Sequence, residues 1–275
     1  MNICENILSS EKDVCVLEGG LSVRAAVASD KRKIYAVLID FRKKQKRDRK
    51  TLALISFLES AGINYTLADR AYIEDMLLKL SQGSASSTHG GVIALVSSRV
   101  YENFSELLSN PAAGDYYVYL DGIEDPFNLG YSIRTLYAMG CAGILLPKRS
   151  WHNADGIIAR ASAGTSELCK IAEMPEDDLK TALFIKEKGW KIVCSALAHD
   201  SVPISDFKPS EPFILFIGGE KRGISPEFYD NADVKVHIPY ARKEVKYSLP
   251  TASVCAFFAS ALSDYVLSAE NKQAE

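Results

Sequence analysis

The chain has 275 residues, 47% hydrophobic and 24% charged, which excludes fibrous and wholly disordered classes and leaves room for two modest domains or one large one. A net charge of −3 and a pI of about 5.9 argue against a protein that coats nucleic acid nonspecifically. Residues 1–13 carry no basic stretch ahead of an apolar core and no apolar run approaches bilayer length, so a cytoplasmic protein is expected.

In chain order, the first recognisable element is a strand, IYAVLID, set inside the most basic part of the chain. Between Lys31 and Lys50 there are ten basic residues and two acidic ones, a density able to track a phosphate backbone through Arg42, Lys43, Lys44, Lys46 and Arg47. From the charge alone, a solvated loop and helix start is the better account. A helix over 46–62, a strand over 63–68, a helix over 70–83 and the strand VIALVS complete a small α/β unit. The stretch from Ser109 to Asp115 has Pro, Gly and no periodic apolar face, and reads as the linker between a domain over 1–110 and a second over 116–275, with the joint itself at 111–115.

The second part alternates again. Strands are expected at YYVYL, GILLP, ELCKIA, WKIVCSAL, FILFIG and VKVHIP, with helices at 132–140, 155–162 and 176–189, implying a mainly parallel sheet covered by helices. Val254, Phe257, Phe258, Ala261, Leu262 and Tyr265 recur at helical spacing in the last helix, which must bury that stripe on the sheet or on a second subunit. The six cysteines lack paired spacing and read as buried thiols. His89, His152, His199 and His237 lack metal-ligand spacing, and no metal is implied.

Neither a GxGxxG after a strand nor a GxxxxGK[ST] is present, which removes the main support for dinucleotide-binding and P-loop enzymes. Three segments instead sit at the C-terminal ends of expected strands, where open α/β sheets place their ligands. In LDGIEDPFNLGYSIRT, Asp121 and Asp125 precede Asn128, and Arg134 follows in the first turns of a helix, where an always-charged fork suits phosphate or a developing oxyanion. Capping of that helix explains Asp125 or Asn128 as readily. In FILFIGGEKRGIS an apolar strand runs into Gly218, Gly219 and Glu220, and Ser225-Pro226 reads as an N-cap and first helical position. Bare glycines there let a ligand lie against the backbone, although a tight turn needs them too. VHIPYARKEVKYSLPTASVCAFFASAL joins a strand to the last helix through a loop bearing Arg242, Lys243 and Lys246.

In this order the three segments resemble the signature motifs of the SpoU/TrmH family of SPOUT RNA methyltransferases, over roughly Tyr116 to Val266. STHGGVIALVS more weakly resembles the family's L30e-like substrate-binding domain. The resemblance implies a two-domain α/β fold, with a small L30e-like N-terminal domain that contacts RNA through its basic segment and a C-terminal trefoil knot on a mainly parallel sheet. It implies S-adenosylmethionine framed by Leu197, Gly218, Gly219, Ile238 and Leu249, and a catalytic centre of Asn128, Arg134, Glu220 and Ser248. It also implies a homodimer that methylates a ribose 2′-oxygen, in 23S ribosomal RNA before transfer RNA. Where the family usually shows Ser-Leu-Asn, this chain has Ser248-Leu249-Pro250, and where it shows Gln after His, Gly90 follows His89. Pro250 keeps a second reading alive, a knotted RNA-binding protein that no longer transfers methyl groups; a cofactor-free ribosome-associated factor is a third.

Overall fold

A computed structural model describes residues 3–11, 13–80, 89–219, 222–242, 244 and 248–274. The chain forms two compact units, Met1–Val100 with Ser150–Leu168, and Tyr101–Arg149 with Cys169–Glu275. The chain therefore passes between units three times. Ser150–Leu168, which the linear reading assigns to the second domain, belongs to the first, and 109–115 lies inside the second, where the Gly114 N–H donates to the Tyr265 hydroxyl at 3.2 Å.

The first unit contains α1 (Ile3–Ser10), β1 (Val14–Glu18), α2 (Gly20–Ser29), β2 (Ile34–Asp40), α3 (Phe41–Gln45), α4 (Arg49–Ser60), β3 (Thr66–Ala68), α5 (Arg70–Leu80) and β4 (Val92–Ser97). Its sheet runs β1-β4-β2-β3 among the described residues, antiparallel except for β2 and β3. Alternation along the strands divides the core. Cys15, Leu17, Val37 and Ile39 pack with Leu54, Ile55 and Leu58 of α4, whereas Val16, Ala36 and Leu38 pack with Ile73, Met76 and Leu77 of α5.

The inserted segment docks by close approach and by charge. A Cβ at Gly156 would lie 2.6 Å from the Val16 carbonyl oxygen, and one at Gly164 2.7 Å from that of Leu21. Asp155 and Glu167 meet Arg32 and Arg99 in a buried network. Arg99 donates to Asp155 Oδ1 at 2.7 and 3.0 Å, Arg32 Nε lies 2.8 Å from Glu167 Oε2, and Arg32 also binds Asp155. Two positive and two negative charges cancel, which is what lets such groups stay out of water.

The second unit contains α6 (Phe104–Leu107), β5 (Tyr116–Leu120), α7 (Pro126–Ala138), β6 (Gly143–Leu146), β7 (Ile171–Glu173), α10 (Asp178–Glu187), β8 (Lys191–Ser195), β9 (Val202–Pro203), β10 (Phe213–Ile217), α11 (Pro226–Asp230), β11 (Val234–His237) and α12 (Thr251–Ala274); α8 (Asp155–Ala161) and α9 (Thr165–Leu168) are the insert in the first unit. Its sheet, ordered β7-β6-β5-β10-β8-β11-β9 among the described residues, is parallel at every pairing. All five residues of β5 and of β10 are buried, as a parallel sheet covered on both faces requires. Tyr117, Tyr119, Ile214 and Phe216 face a core with Ala182, Ile185 and Phe228 of α10 and α11. On the alternate face Tyr116 stacks on Phe213, and Phe213 meets Tyr265 of α12.

Two expectations need correction here. Residues 167–170, read as the start of a strand, belong to the α9 turn and its exit, because Glu167 is drawn into the buried charge network. The reading that no apolar run approaches bilayer length fails for α12: Thr251–Ala269 is long and apolar enough to cross a membrane by length and composition, and 22% of it is buried. Cys255, Phe258, Ala259 and Leu262 form its buried stripe, and the helix packs along α7.

Candidate active site

The site is assembled where parallel strands end. Asp125 caps α7, accepting from the Asn128 N–H at 2.7 Å, and Pro126 occupies the first turn, where its missing N–H costs nothing. The helix thus begins six residues before the expected 132, and Arg134 stands in its third turn rather than its first. Arg134 is exposed and makes no hydrogen bond or ion pair among the described residues. Burial raises the Asp121 carboxyl above its ordinary pKa, against the opposing pull of the Ser225 backbone N–H.

Past β10, the Gly223 N–H donates to the Gly219 carbonyl at 3.0 Å, closing a narrow loop. A Cβ on Gly219 would lie 2.9 Å from the carbonyl oxygens of Asp121 and Gly122, and one on Gly218 2.5 Å from the Gly223 carbonyl carbon. Both glycines are therefore required first by backbone packing, Gly219 against the first motif loop and Gly218 within its own loop, before any ligand is considered. Ser225 holds the N-cap position of α11, as expected, but its hydroxyl makes no capping bond.

Past β8, Leu197 is 85% exposed, an unusual state for a leucine beside a sheet. Its loop is tied to β11 twice: Ser201 Oγ lies 2.9 Å from His237 Nδ1, and Lys235 Nζ lies 3.0 Å from Asp200 Oδ2. Past β11 the chain reaches Pro250, whose carbonyl accepts from Ser253 and Val254 and starts α12, so proline suits this position.

These ends enclose a cavity of about 940 Å³. Leu197, Gly218, Gly219, Ile238, Ser248 and Leu249 all line it. Asn128 and Arg134 do not; they lie on α7. Glu220, Lys243 and Lys246 lie outside the described residues. Tyr229 and His237 also line the cavity and were missed, since a histidine or tyrosine without partner spacing carries no motif; the place of His237 just before Ile238 was the available signal. In the first unit Arg42, Lys44, Lys46 and Arg47 are exposed and Lys43 half-buried.

Residues 115–249 match the model of the SpoU rRNA Methylase family. That stretch, just under half of the chain, is a SpoU family segment. The chain is 31% identical over 158 residues to a protein of Staphylococcus haemolyticus named as a TrmH family tRNA/rRNA methyltransferase, a match covering 56% of the chain and 63% of that relative. The similarly named YacO of Bacillus subtilis is 27% identical over 207 residues, or 73% of the chain and 78% of YacO. The structure resembles that of an rRNA methyltransferase from Sinorhizobium meliloti, with a TM-score of 0.72, 22% identity and coverage of 93% of this chain and 89% of the other. It also resembles the SpoU methyltransferase AviRb of Streptomyces viridochromogenes, with a TM-score of 0.70, 17% identity and coverage of 96% and 93%. The α/β fold with its mainly parallel second sheet is the fold of these SpoU methyltransferases.

Proposed function

We propose that this chain is an S-adenosylmethionine-dependent RNA 2′-O-ribose methyltransferase of the cytoplasm, acting on 23S ribosomal RNA as a homodimer. The observation that carries the reading is the cavity: six residues, drawn from the ends of β8, β10 and β11 and from the segment before α12, converge on it, in a chain matched to a methylase family. The cavity fits the cofactor. Leu197, Ile238 and Leu249 supply apolar wall, the Gly218–Gly219 and Ile238–Pro239 turns supply backbone donors and acceptors, and the exposed Leu197 gains cover.

When bound, S-adenosylmethionine supplies a methyl group already activated on a sulfonium. The chain must therefore align the ribose 2′-oxygen with that methyl and ease loss of the hydroxyl proton. Ser248 stands on the cavity wall, and in this reading it orients the acceptor. Arg134 is a guanidinium that stays protonated, so its role is electrostatic, holding the developing 2′-oxyanion or the adjacent phosphate. The basic segment at Arg42–Arg47, in the first unit, supplies further phosphate contacts.

The dimer rests on exposed apolar side chains. Phe127, Tyr131 and Tyr137 on α7, with Phe257 and Leu267 on α12, are each at least 39% exposed on two helices packed side by side. A second copy covering them would bury the rest of the apolar α12 without lipid and bring Arg134, which shares the Phe127–Tyr131 face, to the interface.

The test is methyl transfer from labelled S-adenosylmethionine to undermethylated ribosomal and transfer RNA, followed by nucleoside analysis. A 2′-O-methylated nucleotide in 23S RNA is the expected product; a base-methylated product would refute the reaction, and product in transfer RNA alone would refute the substrate. Pro250 in place of the family Asn favours the non-catalytic RNA-binding reading, which predicts cofactor and RNA binding with no transfer to either pool.

A further inference from the structure

We infer that His89 is a positioning residue for RNA: its ring shapes the turn on which the basic helix α3 is seated. The inference rests on the reading of the basic segment as the RNA surface and names what holds that surface in place. The segment from Arg42 to Lys50 has seven cations and one acid, Asp48. The two acids bounding its helices are turned inward as caps, Asp40 accepting from the Arg42 N–H at 2.9 Å and Asp48 from the Thr51 N–H at 2.9 Å. Among the described residues none of the seven cations has an ion-pair partner. The helix starts are already occupied by carboxylates, so phosphate binding falls to the side chains, whose spacing then depends on how α3 is held.

What holds α3 is the turn His89-Gly90-Gly91. Both glycines have positive φ, 64° and 72°. The Gly91 N–H donates to His89 Nδ1 at 3.1 Å, and the Gly91 carbonyl accepts from the Asp40 N–H at 2.8 Å. A Cβ on Gly91 would lie 3.0 Å from Asp40 Cβ and 3.2 Å from Lys43 Cε, so the cap and the lysine stem rest directly on the turn. The path from His89 to the surface is thus short: ring nitrogen, Gly91, Asp40, α3.

The ring is fully enclosed, 1% exposed. Burial, and after it the charge of Arg70, holds its pKa below the ordinary histidine value, so it is neutral at pH 7, as an accepting Nδ1 demands. Nε2 has no hydrogen-bond partner among the described residues, and Glu74 Oε1, bound to Arg70 at 2.8 Å, lies 3.8 Å from it. That carboxylate repels phosphate. His89 therefore acts through Nδ1 and the turn rather than as a phosphate ligand.

An asparagine can replace this function, because its side-chain oxygen accepts from the N–H two residues on in an Asx turn. The experiment measures binding of the full chain to a fluorescein-labelled 23S ribosomal RNA transcript over a series of KCl concentrations. The variants are His89→Ala, His89→Asn, Gly91→Ala and Arg42→Ala/Lys44→Ala. Folding is monitored by circular dichroism, and S-adenosylmethionine binding to the other unit by calorimetry. Each phosphate contact contributes about 0.7–0.9 to the slope of log affinity against log salt. His89→Ala is expected to flatten the slope by about 1–2 and weaken binding about tenfold at low salt, with wild-type cofactor affinity. Gly91→Ala, which keeps the ring but pushes on Asp40, should do the same, and His89→Asn should bind as wild type. If His89→Ala is unfolded, the Gly91→Ala and His89→Asn results decide. A wild-type slope in a folded His89→Ala or in Gly91→Ala overturns the inference, as does a His89→Asn as weak as alanine, which would mean that acceptance at Nδ1 is not what the turn needs. An unchanged slope in Arg42→Ala/Lys44→Ala instead overturns the RNA surface.

Discussion

Gly218 stands against Gly223 so closely that a Cβ on it would lie 2.5 Å from the Gly223 carbonyl carbon and 2.7 Å from the Ile224 nitrogen. Neither neighbour is a side chain that can swing aside. Gly218→Ala is therefore expected to displace the loop lining the cavity, weakening S-adenosylmethionine about tenfold or more by calorimetry and costing about 1–3 kcal/mol of stability. Wild-type affinity would show that the loop yields and that the packing does not set the site.

Arg134 has no partner to lose within its own chain among the described residues, so replacing it should leave stability within about 0.5 kcal/mol. Its effect should fall on the reaction. Arg134→Ala is expected to lower kcat for methyl transfer by about 10²–10³, in line with removal of one preorganised donor to a developing oxyanion. Arg134→Lys should recover only part, because the planar fork is lost. Full activity in the lysine variant would sink the electrostatic role.

The apolar faces of α7 and α12 carry a test of assembly. Phe257 is 53% and Leu267 55% exposed, and a charge at each should shift the chain from dimer to monomer in sedimentation velocity at micromolar concentration. Because the buried stripe of α12 is untouched, the thermal transition should persist. A wild-type that sediments as a monomer would dismiss the dimer outright.

Legibility in the sequence followed how local the cause was. β2, β4 and β5 were readable to the residue, since each is a continuous apolar run ended by a polar residue or turn. β1 and α2 were not identified: VCVLE ends in a buried Glu18, and GLSVRAAVAS is made of small residues without a marked apolar stripe. Where a motif segment follows directly on a strand, as at Gly218, Gly219 and Ile238, the sequence pointed to positions that lie on the cavity wall. The join of Ser150–Leu168 to the first unit was hidden, because its cause is a pairing between residues 56 to 135 positions apart.

That pairing gives the sharpest stability test. Burial alone would push the Asp155 carboxyl up, but Arg99 and Arg32 outweigh it and hold its pKa well down, to about 2. A carboxylate with a depressed folded pKa contributes stability above its unfolded value near 3.8 and loses it as pH falls toward the folded one. The urea midpoint of the first unit should accordingly be insensitive to this group from pH 7 to 5 and fall between about pH 4 and 2. Asp155→Asn leaves two buried guanidiniums facing one carboxylate, Glu167, and should cost about 3–5 kcal/mol at pH 7 while flattening that acid limb. A fragment ending at residue 110 lacks both carboxylates and the packing of the insert on Val16 and Leu21, so it should show no cooperative unfolding transition, whereas the same fragment supplied with residues 150–168 in trans should gain one. A stable, cooperative 1–110 fragment would mean that the charges relax to solvent and that the insert is an ornament rather than part of the fold.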